Sequence, residues 1–249
     1  MHRCDLRGKR MKIASVINLL EKTLGAPKQK RDAPNPVDLL VATLLSQNTN
    51  DHNSHRAYAN LKRIFPTWED ALGASTKKIA SAIRVGGMAA QKSKRIKEIL
   101  HTIRDRYGSI DLTSLRRMEI SQAMDELQTL KGVGKKTAAC VILFSFRKPV
   151  FPVDTHIHRI LNRVGIVRTK TPEKTFDAMQ SLVPPQKMYS LHTNLIRFGR
   201  MVCKAQNPLC GACVLYDLCE YQDKEKFALS RESKKGDSEK VHFMLLDNV

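Results

Sequence analysis

The chain has 249 residues, 42% of them hydrophobic, enough to bury a core in one large domain or two modest ones and too many for wholesale disorder. Its 43 basic residues outnumber 24 acidic ones, giving a formal charge of +19, so the expected partner is a polyanion, with DNA or RNA first. No stretch approaches the ~18 apolar residues of a membrane span, and Met1-His2-Arg3-Cys4 opens no signal-peptide core. An intracellular protein with no membrane partner is expected, in which six cysteines do not read as disulfides.

Residues 1–11 are polar and basic and are expected to be loose. Ile13, Val16, Ile17, Leu20 and Leu24 fall at helical spacing and predict an amphipathic helix ending near Gly25. After a basic connector, Asn35-Pro36 reads as a cap followed by a first-position proline, with Asp38 in the first turn. The nearly all-apolar run 37–45 predicts a central helix. The polar cluster Ser46-Gln47-Asn48-Thr49-Asn50-Asp51 interrupts it. The plain reading there is a helix end and a cap; the sharper one is a set of amides placed to meet bases.

Further helices are predicted over 54–64, 76–85 and 91–107. The last buries Ile96, Ile99, Leu100 and Ile103 and is expected to leave Lys92, Lys94, Arg95, Lys97 and Arg104 as a solvated basic face. The turn before it, Gly86-Gly87-Met88, can carry an inserting side chain. Helices over 120–130 and 135–146 flank a glycine turn, and 156–164, 172–182 and 186–201 complete an all-α chain. From 223 to 249 there are six basic and six acidic residues, so this expected flexible tail adds nothing to the net charge.

The stretch 130–138, Leu-Lys-Gly-Val-Gly-Lys-Lys-Thr-Ala, is a hairpin between two helices. Successive backbone N–H groups leading into a helix N-terminus form an anion site, and glycines let a phosphate come close. Gly132, Val133, Gly134 and Lys135 are therefore the candidate contacts to a nucleic-acid backbone. Such contacts position without reading sequence, so specificity must come from elsewhere, with Gln47 and Asn48 as candidates.

Lys136 falls in the first turn after the hairpin, and Asp154 stands 18 residues downstream, before another helical pattern. A lysine nucleophile must be neutral, and bringing a free lysine to about pH 7–8 takes roughly 4 kcal/mol. A helix N-terminus contributes only about 0.3–1 kcal/mol, up to ~2 when partly buried. Desolvation and a second cation, here Lys135, would have to supply the rest. Asp154 has two compatible readings: a cap for the helix that follows, and a carboxylate able to steady a cationic sugar and shuttle protons. His156 and His158 read as packing or hydrogen-bonding residues.

Cys203, Cys210, Cys213 and Cys219 are spaced x6, x2, x5. Four thiolates in one loop suit a tetrahedral zinc or a cubane iron–sulfur cluster, and spacing does not choose between them. Either site is closed, hence structural. Cys140 lies in the apolar run and belongs to the core.

The 130–138 hairpin with its lysine, Val153-Asp154-Thr155-His156 and the four cysteines together resemble the endonuclease III branch of the helix-hairpin-helix DNA glycosylases, over about 37–219. The resemblance implies two helical lobes flanking a DNA-binding cleft. One is a six-helix barrel over 35–148 with the hairpin; the other joins 12–34 to 149–222 and holds a [4Fe–4S] cluster on the four cysteines. It also implies a monomer acting on double-stranded DNA with damaged bases or abasic sites. Lys136 would attack C1′, expel the base and form a Schiff base, with strand cleavage by β-elimination, and Asp154 would activate the lysine and stabilise positive charge on the sugar.

Departures from the family pattern are Lys131 in place of the usual proline, Gln47-Asn48 in place of a frequent Ala-Gln pair, and a less basic segment between Cys203 and Cys210. Gln47-Asn48 and 151–154 also resemble the plant 5-methylcytosine glycosylases of the same superfamily. The expected function is removal of a damaged, oxidised pyrimidine. Alternatives are mismatched or modified pyrimidines, a monofunctional glycosylase, a non-catalytic DNA-binding protein and an electron carrier.

Overall fold

The computed structural model describes residues 3–228. They split into two compact units: Arg31–Lys148 form one, and the residues up to Lys30 together with those from Pro149 onward form the other. Among the described residues all regular structure is helical, and no helix is long and apolar enough to cross a membrane.

Helix α1, Arg3–Leu24, begins earlier than expected, so 3–11 are helical rather than loose. Leucine, lysine and arginine lose little rotamer freedom in a helix. Arg10 and Lys12 also fasten the segment, donating to the Ser181 carbonyl at 3.2 Å and the Glu220 carboxylate at 2.6 Å. Ile13, Val16, Ile17 and Leu20 are buried, and Gly25 ends the helix at φ 81°.

In the Arg31–Lys148 unit, α2, Pro36–Ser46, is buried from Pro36 through Leu45 except at Asp38. Asn35 Oδ1 accepts from the Val37 and Asp38 amides at 2.8 and 3.2 Å, a cap worth about 1 kcal/mol. Helix α3, Asp51–Ile64, starts three residues earlier than predicted because Asn50 caps it through the Asn53 amide. Helix α4, Trp68–Gly73, was not foreseen, although Thr67 and Asp70 form a reciprocal capping box. Helix α5, Thr76–Ala82, is shorter than predicted and gives way to a 3-10 turn, Arg84–Gly86. Helix α6, Ala89–Tyr107, packs on α5 and α2.

After a 3-10 turn at Thr113–Arg117 comes α7, Ile120–Gln128, then α8, Lys135–Cys140. The single helix predicted over 135–146 changes to a π turn at Val141–Ser145, with the Phe146 amide donating to the Val141 carbonyl at 3.2 Å. All five π residues are buried. The Ser145 carbonyl accepts from Arg116 at 2.9 Å, so the wider turn leaves that acceptor satisfied.

The other unit continues with α9, Thr155–Val164, α10, Pro172–Met179, α11, Met188–Met201, and the short α12, Lys224–Ala228. Helix α11 packs on α9 and α1. Glu21 on α1 accepts from Lys187 at 2.7 Å and Ser190 at 2.8 Å, and the Lys187 ammonium holds its carboxyl below the usual range. Of the tail expected from 223, the first residues form α12 and 229–249 lie outside the described residues.

Candidate active site and cysteine loop

The hairpin closes with the Val133 amide donating to the Leu130 carbonyl at 3.0 Å, and both side chains are buried. Gly132 sits at φ 84°, and a Cβ there would collide with Arg95 Cδ and Nε, which lie across the turn. Gly134 differs: a Cβ on it would meet nothing within 4 Å. The backbone conformation therefore demands the first glycine, since the Arg95 side chain can swing aside, and the space beside the second is open. Gly134 is also the N-cap of α8 and offers no side-chain acceptor, so the first amides of that helix keep no side-chain cap. Lys131, where the family pattern has proline, does not unfold the turn; its ammonium lies 3.1 Å from Glu98 on α6.

Lys135 and Lys136 are half-buried in the first turn of α8. Among the described residues, the Lys136 side chain has no hydrogen bond or ion pair. Asp154 belongs to the other unit. Its Oδ1 accepts from the Ile157 amide at 2.8 Å, so it caps α9, and one carboxylate oxygen is fixed by the helix it begins. Beside it, burial is the first cause holding the His156 imidazole below its ordinary value; Asp154 opposes the shift, and Arg159 and Arg200 reinforce it. His158 Nδ1 lies 2.7 Å from the Thr175 hydroxyl, the hydrogen-bonding role expected of it.

Gln47 and Asn48 follow the end of α2. Gln47 is extended and its amide donates to the Leu44 carbonyl, whereas Asn48 is exposed with φ 54°. Met88, ahead of α6, is also left-handed, at φ 52°, and is 49% exposed. The fold brings these two together: Asn48 Nδ2 lies 4.0 Å from Met88 Sδ, across 40 residues of chain.

The cysteine loop turns on its own backbone bonds, and side chains from outside it brace its ends. Arg159 donates to the Cys203 carbonyl at 3.1 and 2.7 Å. Arg163 reaches Cys203 Sγ at 3.5 Å and the Lys204 and Ala205 carbonyls at 2.7 and 3.2 Å, and it stacks 4.2 Å over the Tyr221 ring. Both arginines lie on α9, the helix that Asp154 caps. The four thiols are half-buried and close enough to feel one another's charge. Burial pushes Cys210 and Cys219 up and Cys213 up to about 12, while Arg163 and Lys224 pull Cys210 and Cys219 the other way.

Among the described residues, no group of three or more His, Cys, Asp or Glu side chains is arranged to hold a single metal ion. Four half-buried thiols gathered in one loop form an all-sulfur donor set, which fits a [4Fe–4S] cubane.

Residues 41–185 match the HhH-GPD superfamily of base excision DNA repair proteins. The chain belongs to that superfamily. Residues 203–219 match the iron–sulfur binding domain of endonuclease III. The chain is 38% identical to endonuclease III of Thermotoga maritima over 186 residues, 75% of this chain and 83% of that protein. It is 35% identical to endonuclease III of Bacillus subtilis over 200 residues, covering 78% of this chain and 86% of that one. A non-covalent endonuclease III–DNA complex superposes with a TM-score of 0.74 at 27% identity, over 87% of this chain and 97% of that one. The chain is an endonuclease III-like DNA glycosylase and abasic-site lyase with a [4Fe–4S] cofactor.

Several residues that shape this HhH-GPD protein's site escaped the sequence reading. Lys92 was expected in solvent and is 5% exposed. Its signal was its place four residues before Ile96, on the buried stripe of α6. Arg95 over the hairpin and Arg159 and Arg163 over the loop carried no local signal, because the carbonyls and glycine they meet are distant in sequence.

Proposed function

We propose that the chain removes an oxidised pyrimidine from double-stranded DNA, working as a monomer in an intracellular, DNA-associated setting. The observation that carries this reading is the uncapped, glycine-opened start of α8 with the unpartnered, half-buried Lys136 in its first turn. Backbone phosphate would meet the start of α8, which has no side-chain cap, with Lys135 in its first turn, where a side chain at Gly134 would intrude. The DNA complex and the trapped covalent DNA intermediate of similar endonuclease III structures support the same assignment.

A base in the stack cannot be reached, so the target nucleotide is extruded. Met88 and Asn48 are the residues we assign to the vacated space: an exposed apolar side chain and an amide, close together on adjacent tips. Asn48 rather than Gln47 is assigned because it is the more exposed and the one beside Met88. Neutral Lys136 Nζ then attacks C1′, the glycosidic bond breaks, and the base leaves with a proton. The C1′–O4′ bond then opens to give the Schiff base, with O4′ taking up a proton. The cationic C=N acidifies C2′, a base removes the C2′ proton, and the C3′–O bond breaks by β-elimination with the phosphate as leaving group. Asp154, oriented by its cap to the Ile157 amide, steadies positive charge on the sugar and relays the proton. When bound, the [4Fe–4S] group closes the loop through Cys203, Cys210, Cys213 and Cys219 and serves as a structural staple.

Borohydride trapping against duplexes bearing thymine glycol, dihydrouracil, uracil or thymine opposite guanine, 5-methylcytosine, or an abasic site tests the reading. A covalent adduct on the oxidised pyrimidines that disappears in Lys136→Gln supports it. Adducts only on mismatched or methylated pyrimidines would overturn the substrate, and equal nicking without the amine would overturn the mechanism. An absorbance band near ~400 nm in the purified protein checks iron against colourless zinc.

A further inference from the structure

Helix α6 carries a buried cation that has no acidic partner among the described residues. Lys92 Nζ donates to the Leu45 carbonyl at 2.8 Å and to the Gly86 carbonyl at 2.9 Å. Burial alone is what depresses its pKa. An apolar residue on the same stripe would fill the core without that desolvation cost, so the ammonium is explained by what it binds. Leu45 lies in the last turn of α2, where carbonyls lack intrahelical partners and favour a cation. Gly86 closes the 3-10 turn, and a Cβ there would lie 2.9 Å from the Ala57 Cβ, so that turn is already pressed against α3.

Two residues beyond Gly86 stands Met88, and three beyond Leu45 stands Asn48. One ammonium therefore ties together the roots of both tips. Each tip ends in a left-handed, non-glycine residue, a backbone state that persists only where the surroundings hold it.

We propose that Lys92 is a positioning residue: its ammonium fixes the Asn48 and Met88 tips at one separation, so that they enter the duplex as a single rigid wedge. This rests on the assignment of Asn48 and Met88 to the vacated stack. The role differs from general core support because base extrusion needs the wedge and chemistry at an already unstacked abasic site does not.

The test compares wild type, Lys92→Met, Met88→Ala and the double variant on a duplex lesion and on an abasic site in single-stranded DNA, under single turnover. Lys92→Gln, whose amide can still donate to one carbonyl, replaces Lys92→Met if the latter does not fold. Expected is a loss of about tenfold or more on the duplex lesion, the usual consequence of stranding buried acceptors, with single-strand cleavage retained. Adding Met88→Ala should cost little more, since both changes disable one device. Parallel losses on both substrates, or additive losses, would overturn the proposal and leave Lys92 a fold residue. Insertion is read separately from chemistry by 2-aminopurine fluorescence beside the lesion, in a Lys136→Gln background. A Lys92 variant that inserts as well as its parent overturns the wedge clamp, whatever becomes of the Lys136 mechanism.

Discussion

The glycine hairpin and the cysteine loop are both irregular, and they are held in opposite ways. The hairpin is largely self-supporting: a backbone turn bond, two buried apolar residues, and one glycine whose positive φ the fold requires. The loop makes turn bonds of its own, the Cys213 and Tyr216 amides donating to the Cys210 and Cys213 carbonyls, but it buries little. Between 203 and 219 only Pro208 and Leu215 are buried, and the Cys203, Lys204 and Cys219 carbonyls accept from Arg159, Arg163 and Lys224. Glu220 next to it is pinned by Lys12 and Arg168. A segment with so few apolar contacts cannot offset its own ordering entropy. It needs cations from elsewhere in its unit and a cofactor, while the hairpin needs neither.

The largest expected effect removes chemistry from the self-supporting side. Lys136→Gln should cut base release by at least about a thousandfold, as loss of a nucleophile does, while duplex binding and melting stay near wild type. A matching collapse in melting temperature would show that the hairpin depends on this side chain for its form.

Next comes the cofactor. Cys213→Ser should abolish the iron absorbance and remove several kcal/mol of stability from the unit holding α9–α11, since metal binding there is folding free energy. Hydrogen exchange should show α2 and α6 still protected. If protection is lost equally throughout, the two regions are not energetically separate.

Within the hairpin the two glycines can be played against each other. Gly132→Ala should destabilise by about 1–3 kcal/mol, through its positive φ and the collision with Arg95. Gly134→Ala should melt like wild type and bind duplex DNA less tightly, because its Cβ meets only the space assigned to a phosphate. Equal melting of the two variants would refute the distinction.

The smallest effect belongs to α9, the helix that braces the loop. Because folding holds the His156 imidazole below its ordinary value, the unfolded chain takes the proton first as pH falls through about 6.5. Stability is therefore complete above that pH and drains below it until the folded imidazole titrates. His156→Gln should flatten the slope of melting temperature against pH in that window, by about 2 °C or less. An unchanged slope would place the acid sensitivity elsewhere.

Much of this was legible where cause and effect lie close in the chain. The caps at Asn35 and Asp154 and the turn at Gly132 are local events, and each appears where the residues predicted it. Helix α4 was equally local, and its Thr67-x-x-Asp70 signal was overlooked. Lys92 failed for a different reason: residue type was allowed to outweigh its position on the stripe of Ile96, Ile99 and Ile103. Nothing local marked the contact of Arg95 with the hairpin or those of Arg159 and Arg163 with the loop, because the glycine and carbonyls met there are 37 to 44 residues away in the chain.

By itself the sequence determined the helical class, the candidate lysine and carboxylate, and four thiols in one loop, because each is written in residue type and short-range spacing. Only the tertiary structure decided which side chain lies across the glycine turn, which amide stands beside Met88, and which cations leave solvent to hold distant carbonyls. Those outcomes depend on a donor meeting an acceptor far away in the chain, and spacing carries no record of such a meeting.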